Sequence, residues 1–353
     1  MSCDPILTPL TDKLRSRTAL GPGEAADAAR RLADPGVADE ARKDFLRALN
    51  AKGETAAEVA EFASVFRELS RRPPVEAFAA SAIDIVGTGG DNAHSFNVST
   101  TTAVIVAAAG VPVMKHGGRS ISSKSGSADF LERLGVNLHA DDATHARALA
   151  ENNFTFFFAP DFHPAFKSVG PARKALAEEK RKSVFNLLGP LINPGRPDHM
   201  LLGVFAESWV APLAETLERL GVRRALVVHG SAPADGIVLD ELSVCGPCRV
   251  KGVGELRAVD GEWLPSDFGL EHASFCDLRG GDPAENFAML QSLLAGRATR
   301  GLRDSVLFNA GTALWVAGRT PGVREGITLA GDLLDSGAVA ELLRRIREFY
   351  AAK

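Results

Sequence analysis

The stretch Ile83-Asp84-Ile85-Val86-Gly87-Thr88-Gly89-Gly90-Asp91 decides how the rest of the chain is read. Ile83 to Val86 is a short strand of the kind that sits inside a sheet, and three glycines in the next four residues end it in a tight turn. The residues beyond repeat the alternation. Thr100 to Ala109 reads as a helix closed by Gly110, Val111 to Met114 as a strand, and Ala128 to Leu134 as a helix closed by Gly135. Phe154 to Phe158 is a buried strand, Trp209 to Leu220 a helix ended by Gly221, and Arg224 to Val228 another strand. Strands alternating with helices imply an α/β fold with a mainly parallel central sheet covered on both faces. Such sheets bind ligands at the carboxyl ends of their strands, where the glycine-rich turns fall.

Upstream the pattern is different. The first 70 residues look helical, and Thr55-Ala-Ala-Glu58 has the form of a capping box. Val59, Phe62, Phe66 and Leu69 follow at helical spacing. Arg71-Arg72-Pro73-Pro74 stops that helix, because a residue before proline disfavours helical geometry. The expected organisation is a small helical domain over 1–75, joined by a helical segment near 163–185, and a large α/β domain over 80–353.

Composition narrows the function. In 353 residues, 45% are hydrophobic and 24% charged, with a formal net charge of −4. That balance argues against a nucleic-acid binder, which would carry a basic stripe. The four cysteines, Cys3, Cys245, Cys248 and Cys276, are too few for a disulfide scaffold. Neither a signal peptide nor an apolar run long enough to cross a bilayer is expected, the longest candidate being Thr102 to Gly110. No membrane partner and a cytoplasmic location follow as expectations.

Three turns carry the candidate chemistry. The first is Gly87-Thr88-Gly89-Gly90-Asp91, whose bare backbone can lie against a pyrophosphate. Alone it is more often an ordinary glycine turn, and it lacks the dinucleotide spacing. Asp91 suits a ribose hydroxyl or a metal-bound water. The second is Ser95-Phe96-Asn97-Val98-Ser99-Thr100, which opens a helix and so offers free amides to an anion. Ser and Thr are equally at home there as plain N-caps. The third runs from Lys115 to Ser127 and holds three basic side chains, five serines and three glycines within thirteen residues. Cations and hydroxyls on a pliable backbone suit a polyphosphate; a solvated polar loop is the bland alternative.

Together, Gly87-Thr-Gly-Gly-Asp91, Phe96-Asn-Val-Ser-Thr100 and Lys115-His-Gly117 through Arg119-Ser120 and Ser122-Ser-Lys-Ser-Gly-Ser-Ala-Asp129 strongly resemble the anthranilate phosphoribosyltransferase family. Later segments agree: Phe158-Ala-Pro160, His163-Pro164, Arg173-Lys174, Phe185-Asn-Leu-Leu-Gly-Pro-Leu191, Asn193-Pro194, Val228-His-Gly230, Leu239-Asp-Glu-Leu-Ser243 and Gly280-Gly-Asp282. The likeness covers nearly the whole chain.

The resemblance implies a magnesium-dependent transfer of phosphoribose from phosphoribosyl pyrophosphate to anthranilate or a similar aromatic amine, as in tryptophan biosynthesis. It implies a homodimer pairing through the small domains. Matched by motif, Gly90, Asp91, Ser95, Asn97, Val98, Ser99, Thr100, Lys115, His116, Gly117, Gly118, Arg119, Ser120, Ile121, Ser122, Ser123 and Ser127 would hold the donor. Gly87, Gly118 and Arg173 would face the acceptor, the guanidinium suiting its carboxylate. Ser99, Asp240 and Glu241 would hold Mg2+, adjacent carboxylates suiting a hard cation. No protein nucleophile is needed. Catalysis would consist of neutralising the leaving group, positioning the amine and excluding water.

Three departures touch the acceptor or metal side. Gly118 stands where the family usually has Asn, which allows a different aromatic amine or a nucleobase as acceptor. The segments from Arg173 to Phe185 and from Gly230 to Asp240 are longer than the family pattern, so Asp240-Glu241 rather than Asp235 is taken as the metal pair. Cys245-Gly-Pro-Cys248 has a redox spacing, but Arg249 to Gly254 after it reads as strand and turn rather than the helix that would activate a thiol.

Overall fold

The computed structural model describes residues 4–119 and 124–352. Its strands are β1 (Ile83–Gly87), β2 (Val113–Gly117), β3 (Phe154–Phe158), β4 (His199–Gly203), β5 (Arg224–Ala232), β6 (Ile237–Leu239), β7 (Cys248–Gly254) and β8 (Asp260–Trp263). Among the described residues they form one sheet in the order β3-β2-β1-β4-β5-β7-β8, with β6 also on β5. β3, β2, β1, β4 and β5 are mutually parallel. Beyond β5 the pairing turns antiparallel. The parallel block and its interleaved helices agree with the sequence. β4, placed at the centre between β1 and β5, was not picked out there.

The two faces of the sheet are read from the period of two along its strands. Leu201, Leu226 and Val228 join one apolar cluster, with Ile105, Val306 and Phe308. Met200, Leu202, Ala225 and Val227 join another, with Phe45, Phe62, Phe66 and Leu176. The second cluster carries the sheet core into the helical amino-terminal domain. The helix Val98–Ala108 is buried on nearly all sides, as an apolar helix without a polar face must be. Fully burying Val104, Ile105 and Val106 contributes roughly 1.5–3 kcal/mol each.

In the helical domain the helix Ala56–Glu68 begins at the expected capping box. Glu58 N–H donates to Thr55 Oγ1 at 3.2 Å, and Thr55 N–H donates to Glu58 Oε2 at 2.8 Å. Glu58 is wholly buried and does more than cap: it accepts from Leu20 N–H at 2.9 Å and pairs with Lys52 Nζ at 2.7 Å. Val59, Phe62 and Phe66 are buried, whereas Leu69 lies past the helix end and is exposed. The helix Phe166–Glu178 packs against Asp39–Lys52, so a later segment completes the helical layer.

Candidate active site

β1, β2 and β4 end in glycine, at Gly87, Gly117 and Gly203, and β5 carries Gly230 two residues before its end. The reason is close approach. A β-carbon on Gly203 would stand 1.5 Å from the Asp240 carbonyl oxygen, and one on Gly230 would stand 2.3 Å from that of Glu241. One on Gly87 would stand 2.2 Å from Asp240 Oδ2. The segment bearing the two acids therefore lies directly across the carboxyl ends of β1, β4 and β5. A β-carbon on Gly117 would likewise strike Ser127 Oγ, at 2.4 Å.

The three turns meet around this crossing. Gly89 and Gly90 take positive φ, at +66° and +80°, which glycine alone adopts without cost. Gly89 N–H donates to Asp240 Oδ2 at 2.7 Å. Asp240 N–H reaches Asp91 Oδ2 at 3.4 Å. In the second segment the helix starts at Val98, and its N-cap, Asn97, makes no side-chain capping bond. Ser99 and Thr100 therefore lie within the first turn rather than at the cap. Lys115, buried on β2, ties the first two segments together. Its Nζ donates to the Ile85 carbonyl at 2.7 Å and stands 3.5 Å from Ser99 Oγ.

Asn97 joins the second segment to the third. Its Nδ2 donates to the Ser125 carbonyl at 3.2 Å, and its Oδ1 accepts from Ser125 Oγ at 3.1 Å. The same oxygen accepts from Asn286 Nδ2 at 2.8 Å. Asn97 is thus committed to holding loops together. Asn286 in turn receives Gly281 N–H at 2.8 Å, while Gly280 N–H donates to the His94 carbonyl at 2.9 Å. Arg119 is occupied by Asp129 and Glu132, at 2.8 and 2.9 Å. Ser120, Ile121, Ser122 and Ser123 lie outside the described residues.

The acids are electrostatically loaded. Burial, reinforced by Asp91, pushes the Asp240 carboxyl up to about 7. Burial and the Asp240 charge hold Glu241 well above the usual carboxylate range, although the Ser95 hydroxyl and Lys115 pull it back. Glu241 Oε1 is buried without a hydrogen-bond partner. Beneath them Asp84 is raised to about 6 by burial, and Lys115 is lowered to about 8, again chiefly by burial. Asn193 anchors Asp84, donating to its Oδ2 at 2.8 Å and to the Met114 carbonyl at 2.7 Å. Crowded acids with an unmet oxygen call for a cation. Among the described residues no three His, Cys, Asp or Glu side chains are already gathered as a metal cluster. Magnesium keeps waters and takes phosphate oxygens, so a partial protein set of this kind fits it.

A group of aromatic rings gathers around Arg173. Phe66, Phe166 and Phe185 meet edge to face, with centroids 5.2–5.5 Å apart. The Arg173 guanidinium lies 5.4 and 5.6 Å from the Phe166 and Phe185 rings. Among the described residues it makes no ion pair, and burial lowers its pKa. A half-buried cation, set among rings and without a counter-charge among the described residues, suits an aromatic anion. This group connects to β2 through His163, whose ring packs on Phe166 and whose Nε2 is 3.0 Å from His116 Nε2. Burial holds both imidazoles neutral, His163 at about 4, so one ring donates to the other. His116 is therefore committed to a ring pair. At Gly118, a β-carbon would meet nothing within 4 Å among the described residues.

Sequence comparison decides the kinship. A model of the glycosyl transferase family α/β domain matches residues 79–340, and one of that family's helical bundle domain matches residues 8–70. The chain belongs to this glycosyl transferase family. An anthranilate phosphoribosyltransferase of Parvibaculum lavamentivorans is 48% identical over 305 residues, 86% of this chain and 85% of that protein. One of Azorhizobium caulinodans is 42% identical over 340 residues, 96% of this chain and 95% of that one. Among solved structures, anthranilate phosphoribosyltransferase from Thermus thermophilus superposes with a TM-score of 0.88 at 42% identity, covering 97% of this chain and 99% of that chain. The Saccharomyces cerevisiae enzyme in complex with PRPP and Mg gives 0.86 at 26% identity, with 99% of each chain covered.

In this member of the family, sequence reasoning missed Gly203, Asn193, Asn286 and Lys182 as neighbours of the site. A signal for the first existed: Leu-Leu-Gly203 repeats the apolar-run-then-glycine pattern of β1. Asn286 and Lys182 are brought in only by long-range folding. The Cys245–Cys248 pair is buried, and burial raises both thiols, Cys248 to about 12. Neither has the lowered pKa of a reactive cysteine.

Proposed function

We propose that this protein is an anthranilate phosphoribosyltransferase, joining anthranilate to the ribose of phosphoribosyl pyrophosphate with release of pyrophosphate. The observation that carries this reading is the crossing of the Asp240-Glu241 segment over the glycine-ended strands, with the aromatic group around Arg173 joined to β2 through His163 and His116. In this reading the Gly90–Asp91 end of the glycine turn, Ser99, Thr100 and Lys115 bind the phosphates and ribose, with Ser127 beside them. Asp240, Glu241 and Ser99 hold Mg2+, which when bound neutralises charge on the leaving pyrophosphate. Arg173 takes the acceptor carboxylate and so aims the amine at the anomeric carbon. The neutral His116–His163 pair shapes the acceptor wall. Displacement by a neutral amine builds positive charge on the ribose, which suits a pocket whose floor carries Asp84, Asp240 and Glu241.

The reading extends to a homodimer in the cytoplasm, and to a division into helical and α/β domains near residues 75–80. Its test is loss of anthranilate fluorescence on adding phosphoribosyl pyrophosphate, with and without magnesium. No turnover by folded protein in magnesium would end it. A second acceptor is favoured by one observation only, the missing side chain at Gly118. Because space there is open, Gly118→Asn should fold. Comparing kcat/KM for anthranilate and a panel of aromatic amines in the wild type and that variant distinguishes the two.

A further inference from the structure

Lys182 projects over the mouth of the glycine turn from a segment built to hold it there. The helix Phe166–Glu178 closes in a Schellman-type turn: Arg181 N–H donates to the Leu176 carbonyl at 2.8 Å and Lys180 N–H to that of Ala177 at 2.9 Å. Lys180 takes φ +57°, the left-handed conformation usually given to glycine, at a cost of about 1 kcal/mol. On the far side Ser183 N–H is fixed by Asn186 Oδ1 at 2.8 Å. Lys182 thus sits between two anchored turns. Its Nζ lies 3.1 Å above the centre of the Phe205 ring and 3.8 Å from where a β-carbon on Gly90 would stand. Phe205 is itself tied to the glycine turn, its N–H donating to Thr88 Oγ1 at 3.0 Å. The ammonium is in no ion pair among the described residues, although Asp91 is close enough to favour its charge. A cation seated on a ring, beside a glycine turn, is left with donors to spare.

We propose that Lys182 is a diphosphate-binding residue, its ammonium closing over a diphosphate laid on the Gly87–Asp91 turn. This rests on the functional reading above and deepens it. The same diphosphate chemistry is presented by the intact donor and by the released pyrophosphate, so both are probes.

The experiment is calorimetric titration of the full-length protein, in magnesium and without acceptor, with phosphoribosyl pyrophosphate and separately with inorganic pyrophosphate. The variants are Lys182→Met, Lys182→Arg and, should the methionine variant not fold, Lys182→Gln. Loss of one charge-assisted contact should weaken both ligands about tenfold in the neutral variants, with most of the affinity restored by arginine. The KM for anthranilate should stay near the wild-type value. Unchanged affinity for both ligands, whatever happens to Tm, overturns the proposal, as does weakened donor binding with pyrophosphate unaffected. A wild type that binds pyrophosphate through Lys182 yet turns over no anthranilate would sink the functional reading and leave this assignment standing.

Discussion

The Asp240 carbonyl passes so close over Gly203 that no side chain fits between them; a β-carbon there would be 1.5 Å from the oxygen. The acid pair is held in place by a missing methyl group on the neighbouring strand. Gly203→Ala should lift the 239–242 segment off the sheet, because the obstacle is backbone and has no rotamer to yield. The expected result is a loss of kcat/KM of roughly tenfold or more and a higher magnesium requirement, corresponding to about 1–3 kcal/mol of overpacking. Steady-state kinetics across a magnesium series checks it.

Asp240→Asn and Glu241→Gln should each raise the magnesium concentration for half-maximal rate and cut kcat by about a hundredfold, as expected when groups facing a leaving pyrophosphate lose their charge. Asp235→Asn is the control. Asp235 lies in the short 3-10 turn Pro233–Asp235, exposed, and its variant should behave as wild type. Equal effects at all three positions would reject the choice of Asp240-Glu241 as the metal pair.

Arg173→Ala should raise the KM for anthranilate by about tenfold or more while leaving the KM for phosphoribosyl pyrophosphate nearly unchanged. Arg173→Lys should rescue little, because the site between Phe166 and Phe185 suits a flat, forked cation. The two KM values measured independently decide it.

His145 and His163 make stability fall in acid. His145 is buried with its Nδ1 2.9 Å from Thr155 Oγ1, and burial lowers both rings to about 4 from an ordinary 6.5. Below pH 6.5 the unfolded chain takes up protons that the folded chain refuses. Stability is therefore full above that pH and declines as pH falls towards 4, by on the order of 2–3 kcal/mol per ring. Urea midpoints measured between pH 5 and pH 7.5 should show this slope. His145→Gln should flatten it.

The parallel block was legible because its strands announce themselves as short apolar runs, several closed by glycine, beside helices with their own stops. β4 followed the same rule, yet its Asp198-His199 opening hid it. The antiparallel extension was harder: β8 is short and half-exposed, and although Arg249 to Gly254 reads as strand and turn, the pairing of β7 with β5 and of β8 with β7 is fixed by tertiary contact rather than by local pattern. For the site, the motifs themselves named the three turns that the fold brings together, and Asp240-Glu241 was chosen over Asp235 from the residues that follow it. Asn97 was read as a donor ligand; that its amide also meets Ser125 and Asn286 was not foreseen. Arg119 was read likewise, and its pairing with Asp129 and Glu132 was not foreseen either. Nothing local in a sequence reveals which of its own side chains will satisfy an amide or a guanidinium.

The bond from Asn286 to Asn97 spans 189 positions. A ribosome has therefore made most of this protein before the loop that would receive the sugar can be fastened. Nascent chains halted short of Asn286 would carry all three turns and still lack a finished pocket, so ligand binding matures late in synthesis, after the sheet that supports it.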